Sequence, residues 1–388
     1  MLLLDVAISL VNELFTKCSQ YLTNQAKKPN LVRSLLICGL LAKHFQFGDH
    51  RRLTLTSRLH SLLLMNTDIE INKNIITSLG YLCHGAPQTM LEEETKNLYL
   101  NILNNYNDTI GHNGDTNNGH NDQSSNNSDG KVEYIISVLN SLCQYLSQKE
   151  EQNEAASKQT KWEQISLKTI SDNNDDQIQS SIIQTYLSSI LGCTLSNQLI
   201  IRRAAVSLVH VIHSAGLVHP LQLVPHLVAM STDDDPSIRT RVDHVLNDIE
   251  KRYHGFVGMK TKPSILLSFE LNGQSRGYRK DVNGQPLSRL ATLYSVVTHN
   301  RQARRAFLQT FLKSLYDDEQ MNVFNYPLSS YVADNLVFFP YQFADEVLFL
   351  LHSFETTMSI VSSHVYALFK EILLLQGNYI STLLFKFF

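Results

Sequence analysis

Ile201, Ala205, Leu208, Val209 and Ile212 stand at offsets of 0, 4, 7, 8 and 11 residues, the spacing that keeps side chains on one face of an α-helix. The same offsets counted from Ile238 fall on Val242, Val245, Leu246 and Ile249, a second stripe that begins 37 residues after the first. Ile71, Ile75, Leu79 and Leu82 fit the template as well, with Ser78 in the place of a further apolar residue. A helix striped on one side cannot bury that side alone, so stripes recurring at this interval predict helix pairs stacked on one another. Alternating β-branched runs are scarce, and the fold class expected is all-α.

The turns between stripes carry a consistent chemistry. "DDDPSIRTRV" places Asp235 and Pro236 at a helix start with an Ile-Arg pair just inside it, and "NQLIIRRAAV" repeats the Ile-Arg placement. Both resemble the signature of HEAT repeats, which form an α-solenoid of stacked antiparallel helix pairs, curved or hook-shaped. In that reading Arg239 is structural, with Asp235 as a nearby partner, and does not bind a ligand.

The chain divides by composition. HEAT-type repeats are expected over 1–103, and "NNYNDTIGHNGDTNNGHNDQSSNNSDG" makes 104–130 an Asn/Gly/Asp-rich insertion too polar to repay the entropy of ordering. A helix follows over 131–147, then a hydrophilic helix or linker over 148–176 that holds the one tryptophan, Trp162, as an anchor. Repeats resume over 177–370, and 371–388 is an atypical apolar tail. The start, "MLLLDVAISLVNELF", carries Asp5 and Glu13 within its apolar run, so an amphipathic helix is expected there and no membrane span. Five cysteines, far apart and odd in number, read as reduced core thiols.

No catalytic motif stands out: there is no phosphate-binding Gly-rich loop with Lys-Ser/Thr, no His-Glu-x-x-His, no paired Cys-x-x-Cys and no Gly-x-Ser-x-Gly. His210, His213, His219 and His226 cluster in sequence, but without interleaved cysteine or carboxylate they read as helix-end residues, and no metal or other cofactor is expected.

Charge is where the sequence becomes specific. From Lys251 to Leu315 twelve basic residues face only two acids, Glu270 and Asp281, a net of +10; since the whole chain is at −3, the remainder carries −13. A basic block of this kind is the electrostatic footprint of a nucleic-acid backbone, read through phosphates without base recognition. The candidate contacts are Arg301, Arg304, Arg305, Arg276, Arg279, Lys280, Lys260 and Lys262. The interleaved aromatics Tyr253, Phe256, Phe269 and Tyr278 are expected in the core. In "THNRQARRAFLQTFL" the three arginines lie on the face of Leu308, Leu312 and Leu315, in the first turns of a helix that Asn300 would cap. Cations there oppose the helix dipole, so an anion must compensate them: DNA phosphate, an acidic partner, or acids of the chain itself such as Asp317, Asp318 or Asp334.

Several blocks, in order, give the chain a family resemblance: "KPNLVRSLLICGLLAKHFQF", "EETKNLYLNIL", "GLVHPLQLVPHLVAMSTDDDPSIRTRVDHVLNDIEKRYHGFVGMK", "RGYRKD", "LYSVVTHNRQARRAFL" and "YVADNLVFFPYQ". It is similar to the C-terminal part of the Nipped-B-like cohesin loading subunit, the sister chromatid cohesion loader family. The resemblance implies a nuclear, chromatin-associated HEAT solenoid without catalytic residues of its own. It would bind the kleisin and SMC subunits of the cohesin ring and double-stranded DNA, stimulate the ring's ATPase and promote loading for cohesion and gene regulation. A smaller loader subunit would engage only upstream sequence, since family members are much longer, and the match stops after "HVYALFKEI". The alternative is a HEAT scaffold whose basic face receives an acidic protein without touching DNA.

Overall fold

The computed structural model describes residues 28–45, 48–65, 68–105, 130–147, 165–272, 275–281, 283–298, 301–314 and 326–356, with short stretches as far as 370; side chains are described from 177 within the helix that begins at 165. The start of the chain, the insertion core, Trp162, Asn300, Asp317, Asp318 and the apolar tail lie outside these residues. The chain forms two compact units, Met1–His219 and Pro220–Phe388.

In the first unit the helices are α1 (Lys28–His44), α2 (Asp49–Met65), α3 (Ile69–Gly85), α4 (Glu93–Asn104), α5 (130–147), α6 (Ile165–Cys193) and α7 (Leu199–Ser214). Successive helices pair, α2 on α3 and α6 on α7, while alternate helices stack, α1 on α3 and α4 on α6. This is the layered order of a helical-repeat solenoid. The template positions form the core: Ile71, Ile75, Leu79 and Leu82 of α3 and Ile201, Ala205, Leu208, Val209 and Ile212 of α7 are all buried. Of the cysteines, Cys38, Cys83 and Cys193 are buried, Cys143 is half-buried, and burial pushes the Cys83 and Cys193 thiols up to about 12.

Ser78, the exception in the α3 stripe, has a steric reason. It is fully buried against Gly39 of α1, where a Cβ on Gly39 would come within 2.8 Å of the Ser78 Cα. Its hydroxyl donates to Leu35 O across the contact at 2.8 Å and has Asn74 O within its own helix at 2.7 Å. Two small residues let α1 and α3 approach closely where a leucine would hold them apart. Ser78→Leu is therefore expected to destabilise the unit by about 1–3 kcal/mol through overpacking, read as lowered hydrogen-exchange protection in α1 and α3.

The second unit comprises α8 (Pro220–Ser231), α9 (Pro236–Arg252), the single turn α10 (Phe256–Met259), α11 (Thr261–Asn272), α12 (Ala291–Val297), α13 (Arg301–Lys313), α14 (Tyr326–Val337) and α15 (344–356). Again α8 pairs with α9 and stacks on α11, α9 packs on α12, and α11 meets α13 and α14. Asp235 caps α9 by accepting from Ser237 N, with Pro236 at the first helical position. The Ile-Arg placements share one geometry: Arg239 Nη1 donates to Asp233 O (2.7 Å) and Asp234 O (2.8 Å), and Arg202 Nη1 donates to Ser196 O (2.9 Å) and Asn197 O (3.0 Å). In both repeats the arginine folds back over the turn that precedes its helix and satisfies carbonyls there.

Among the described residues one element departs from helix. Between α11 and α12 a hairpin pairs β1 (Tyr278–Lys280) antiparallel with β2 (Pro286–Ser288), in the register Tyr278↔Ser288, Arg279↔Leu287, Lys280↔Pro286. Asp281 organises its tip: the carboxylate accepts from Asn283 N (2.9 Å) and Gln285 N (2.8 Å), and Gly284 takes the left-handed φ of 78° that the turn requires. Asn283-Gly284 is the dipeptide that could have announced this hairpin.

Candidate nucleic-acid interface

All eight candidate residues fall in the second unit, at three separate places: Lys260 and Lys262 around the start of α11, Arg276, Arg279 and Lys280 on the hairpin, and Arg301, Arg304 and Arg305 at the start of α13. Of the twelve cations in the basic segment eight are exposed, three half-buried and one buried, so most of the charge reaches the surface.

The exceptions are informative. Arg289, which sequence reading passed over, is 7% exposed and ties three segments together. Its Nε donates to Arg276 O at 3.1 Å, and its Nη1 lies within hydrogen-bond distance of Thr232 O (3.0 Å), Asp234 Oδ1 (2.9 Å) and Asn272 Oδ1 (2.7 Å). Around it runs a buried polar network. Asn272 Nδ2 donates to Thr232 Oγ1 (2.7 Å), and Ser268 Oγ joins Thr232 Oγ1 (3.1 Å) to the Tyr331 hydroxyl (2.5 Å). Ser288 Oγ and Leu290 N both donate to Asn335 Oδ1, at 2.7 and 3.0 Å. Gly277 passes so near α14 that a Cβ would meet Tyr331 O at 2.2 Å, and its N–H donates to Asp334 Oδ2 at 3.2 Å. Much of "RGYRKD" and "YVADNLVFFPYQ" is thus spent on docking the hairpin.

The hairpin residues separate by face, as strand periodicity requires. Tyr278 packs on Phe338 with ring centroids 4.7 Å apart, and Arg276, exposed, donates to the Tyr278 hydroxyl at 3.0 Å. Lys280 is exposed. Arg279 is half-buried on the opposite face, and burial, with Arg239 and Arg289 nearby, pulls its guanidinium below the usual range. The surface cations of the hairpin are therefore Arg276 and Lys280.

On α13 the three arginines do not share one fate. The buried face is Phe307, Leu308, Phe311 and Leu312, and Arg304 alone extends it. Arg304 Nε lies 2.7 Å from Glu346 Oε1 in an ion pair whose side chains are 14% and 2% exposed, and its guanidinium sits 4.7 Å from the Phe343 ring centroid. Glu346 Oε2 also accepts from the Tyr294 hydroxyl (2.6 Å), Gln342 N (3.1 Å) and Phe343 N (3.4 Å). Burial first, then the bonded carboxylate, raises the Tyr294 phenol far above its ordinary range. Arg301 is exposed and reaches Asp345 Oδ2 at 3.0 Å; Arg305, also exposed, lies 5.2 Å from the Phe349 ring centroid. Two arginines opposing the dipole at the start of α13 are thus met by two acids favoured by the dipole at the start of α15. Asp345 and Glu346 were not among the acids considered from sequence, although paired acids opening an apolar helical run are a visible signal. Asp334, which was, receives the hairpin backbone.

Among the described residues no three potential ligands converge as a metal site would need, and no helix is long and apolar enough to cross a membrane. Comparison with known proteins gives the interface a context. Residues 179–357, which contain the hairpin, the arginine helix and their acidic partners, match the family described as sister chromatid cohesion C-terminus. The Nipped-B-like protein of Homo sapiens is 32% identical over 364 residues, 89% of this chain. The chain belongs to the Nipped-B family. The Drosophila melanogaster Nipped-B protein is 30% identical over 371 residues, 88% of this chain. The chain spans 12% of the human relative's length and 16% of the fly's. Among solved structures, the C-terminal fragment of the Chaetomium thermophilum cohesin loader SCC2 superposes with a TM-score of 0.71 over 96% of this chain and 27% of that one; at 16% identity the likeness is one of fold. The Nipped-B chain is accordingly a helical-repeat solenoid from the C-terminal region of a sister chromatid cohesion loader family.

Proposed function

We propose that this Nipped-B chain is the part of a cohesin loader that contacts the cohesin ring and double-stranded DNA in the nucleus, supporting ring ATPase and loading without catalytic groups of its own. The observation that carries the reading is the exposed set Arg276, Lys280, Arg301, Arg305 and Lys262 within a segment of net charge +10. Surface arginines and lysines without aromatic base platforms suit phosphate contact. Arg279 and Arg304, half-buried and facing other protein groups, are assigned to holding the surface and not to touching DNA.

The test is duplex DNA binding by the full chain across a salt series, comparing wild type with Arg276→Ala/Lys280→Ala/Arg305→Ala. Each lost phosphate contact is expected to shallow the log–log salt slope by about 0.9 and to weaken affinity for all sequences alike. An unchanged slope would remove DNA from the reading and leave the second one, a scaffold for an acidic protein. That second reading has its own support in the apolar side chains exposed among the cations near Tyr253.

A further inference from the structure

Between α9 and α11 the chain makes a turn that is rigidly held yet uncovered. Tyr253 N donates to Ile249 O (2.8 Å), Phe256 N to Tyr253 O (3.1 Å) and Met259 N to Gly255 O (3.0 Å). The Glu250 carboxylate, buried beneath, accepts from Gly255 N (2.7 Å) and Val257 N (3.4 Å), and Gly255 takes a φ of 87°, where a side chain would be strained.

What this built turn presents is apolar. Met259 is 73% exposed, Tyr253 43% and Leu266 43%. The Tyr253 ring lies nearly parallel to Phe256, centroids 5.2 Å apart at 14°, so its shape is fixed before anything binds. Sequence reading placed Tyr253 in the core; the structure places it outside, as the residue that caps the end of α9 where the chain leaves the helix. Single exposed apolar residues are ordinary, but here Tyr253 and Met259 stand exposed within one seven-residue turn, with Leu266 exposed on the helix that follows.

The rim supplies the complementary information. Lys251 and Arg252 precede the turn, Lys260 and Lys262 follow it, and no acid occurs between Lys251 and Phe269. Of the two acids just upstream, Asp248 is held by Arg252 at 3.0 Å and Glu250 is turned onto backbone N–H groups. A nucleic-acid backbone would answer the cations but offer no cover for Met259 and Leu266. An acidic segment carrying an aliphatic or aromatic side chain would answer both.

We propose that the turn formed by Tyr253, Phe256 and Met259, with Leu266 on the helix that follows it, and rimmed by Lys251 and Lys260, is a docking surface for an acidic protein segment with an apolar anchor. This deepens the partner-binding side of the function proposed above and rests on it. The probe is a short labelled peptide of Glu and Asp with a central Phe-x-x-Leu, titrated into the full chain by fluorescence anisotropy. A second peptide with Ser in place of Phe and Leu, duplex DNA, and phosphatidylserine vesicles serve as comparisons. The Phe/Leu peptide should bind at least about tenfold tighter than the Ser peptide. Met259→Ser and Tyr253→Ala, both charge-neutral changes at exposed positions, should each weaken it about tenfold with helicity and DNA affinity unchanged. Equal binding of the two peptides, or a Met259→Ser effect that appears on DNA or vesicles instead, overturns the proposal. Retained peptide preference with DNA affinity insensitive to Arg276→Ala/Lys280→Ala would instead strike only the DNA part of the broader reading.

Discussion

Arg304→Ala is expected to destabilise the second unit by about 3–5 kcal/mol, among the largest effects any single substitution in this chain should have. Arg304 and Glu346 form an ion pair of which the carboxylate is 2% exposed, and truncating the arginine leaves that charge buried without its cation. The damage would extend through Tyr294, whose hydroxyl is committed to the same carboxylate, and through the Gln342 and Phe343 N–H groups that open α15. Because the chain has two compact units, a single unfolding curve is a poor readout. Hydrogen exchange is the better measurement, with protection expected to fall in α12, α13 and α15 while α3 and α7 keep theirs. Arg301→Ala is the control: its pair with Asp345 is exposed, so about 0–1 kcal/mol is expected. A loss below about 1 kcal/mol at Arg304 would mean that the pair behaves as a solvated one. Reversing all three arginines together would therefore confound any DNA experiment, since Arg304→Glu sets a second carboxylate against Glu346.

The reach of the sequence differs between the two levels of organisation. Stripes such as Ile238, Val242, Val245, Leu246 and Ile249 are local in origin, because the helix itself sets the spacing, and they became the core as read. That Arg239 is structural was legible for the same reason, although its partners are the Asp233 and Asp234 carbonyls and not the Asp235 expected from sequence; Arg202 repeats the contact on Ser196 O and Asn197 O. The interface depended on contacts that no local pattern encodes. The anion that answers Arg304 lies 42 positions later in the chain; paired acids mark the start of α15 in the sequence, but that Glu346 meets Arg304 shows only when α13 and α15 are brought together. The hairpin escaped because its strands are three residues long, too short for an alternation to register among helical signals. Arg289 looked like one more surface cation, and only the meeting of α8, α11 and the hairpin shows that its charge is internal.

That meeting makes Arg289→Met the other substitution with a large expected effect, about 3 kcal/mol or more. Methionine matches the bulk of the stem but donates nothing, so the Thr232, Asn272 and Arg276 acceptors lose their donor in a site where the residue is 7% exposed. Each buried acceptor left unsatisfied costs about 1–3 kcal/mol. The contribution of Asp234 is smaller, since that carboxylate is 80% exposed. Arg289→Lys should recover little, because one ammonium on a flexible stem cannot span acceptors that a planar fork reaches together. The loss should be local: amides of 275–290 exchange faster than those of α8 and α11, whose apolar contact persists. Function should respond even though no surface charge has changed. Arg276 and Lys280 are presented by a hairpin of two three-residue strands, too small to be stable unless docked. If the two cations touch phosphate, Arg289→Met lowers DNA affinity and flattens its salt dependence much as Arg276→Ala/Lys280→Ala does. Unaltered DNA binding by a variant whose hairpin is shown to be open would take these two residues out of the DNA interface.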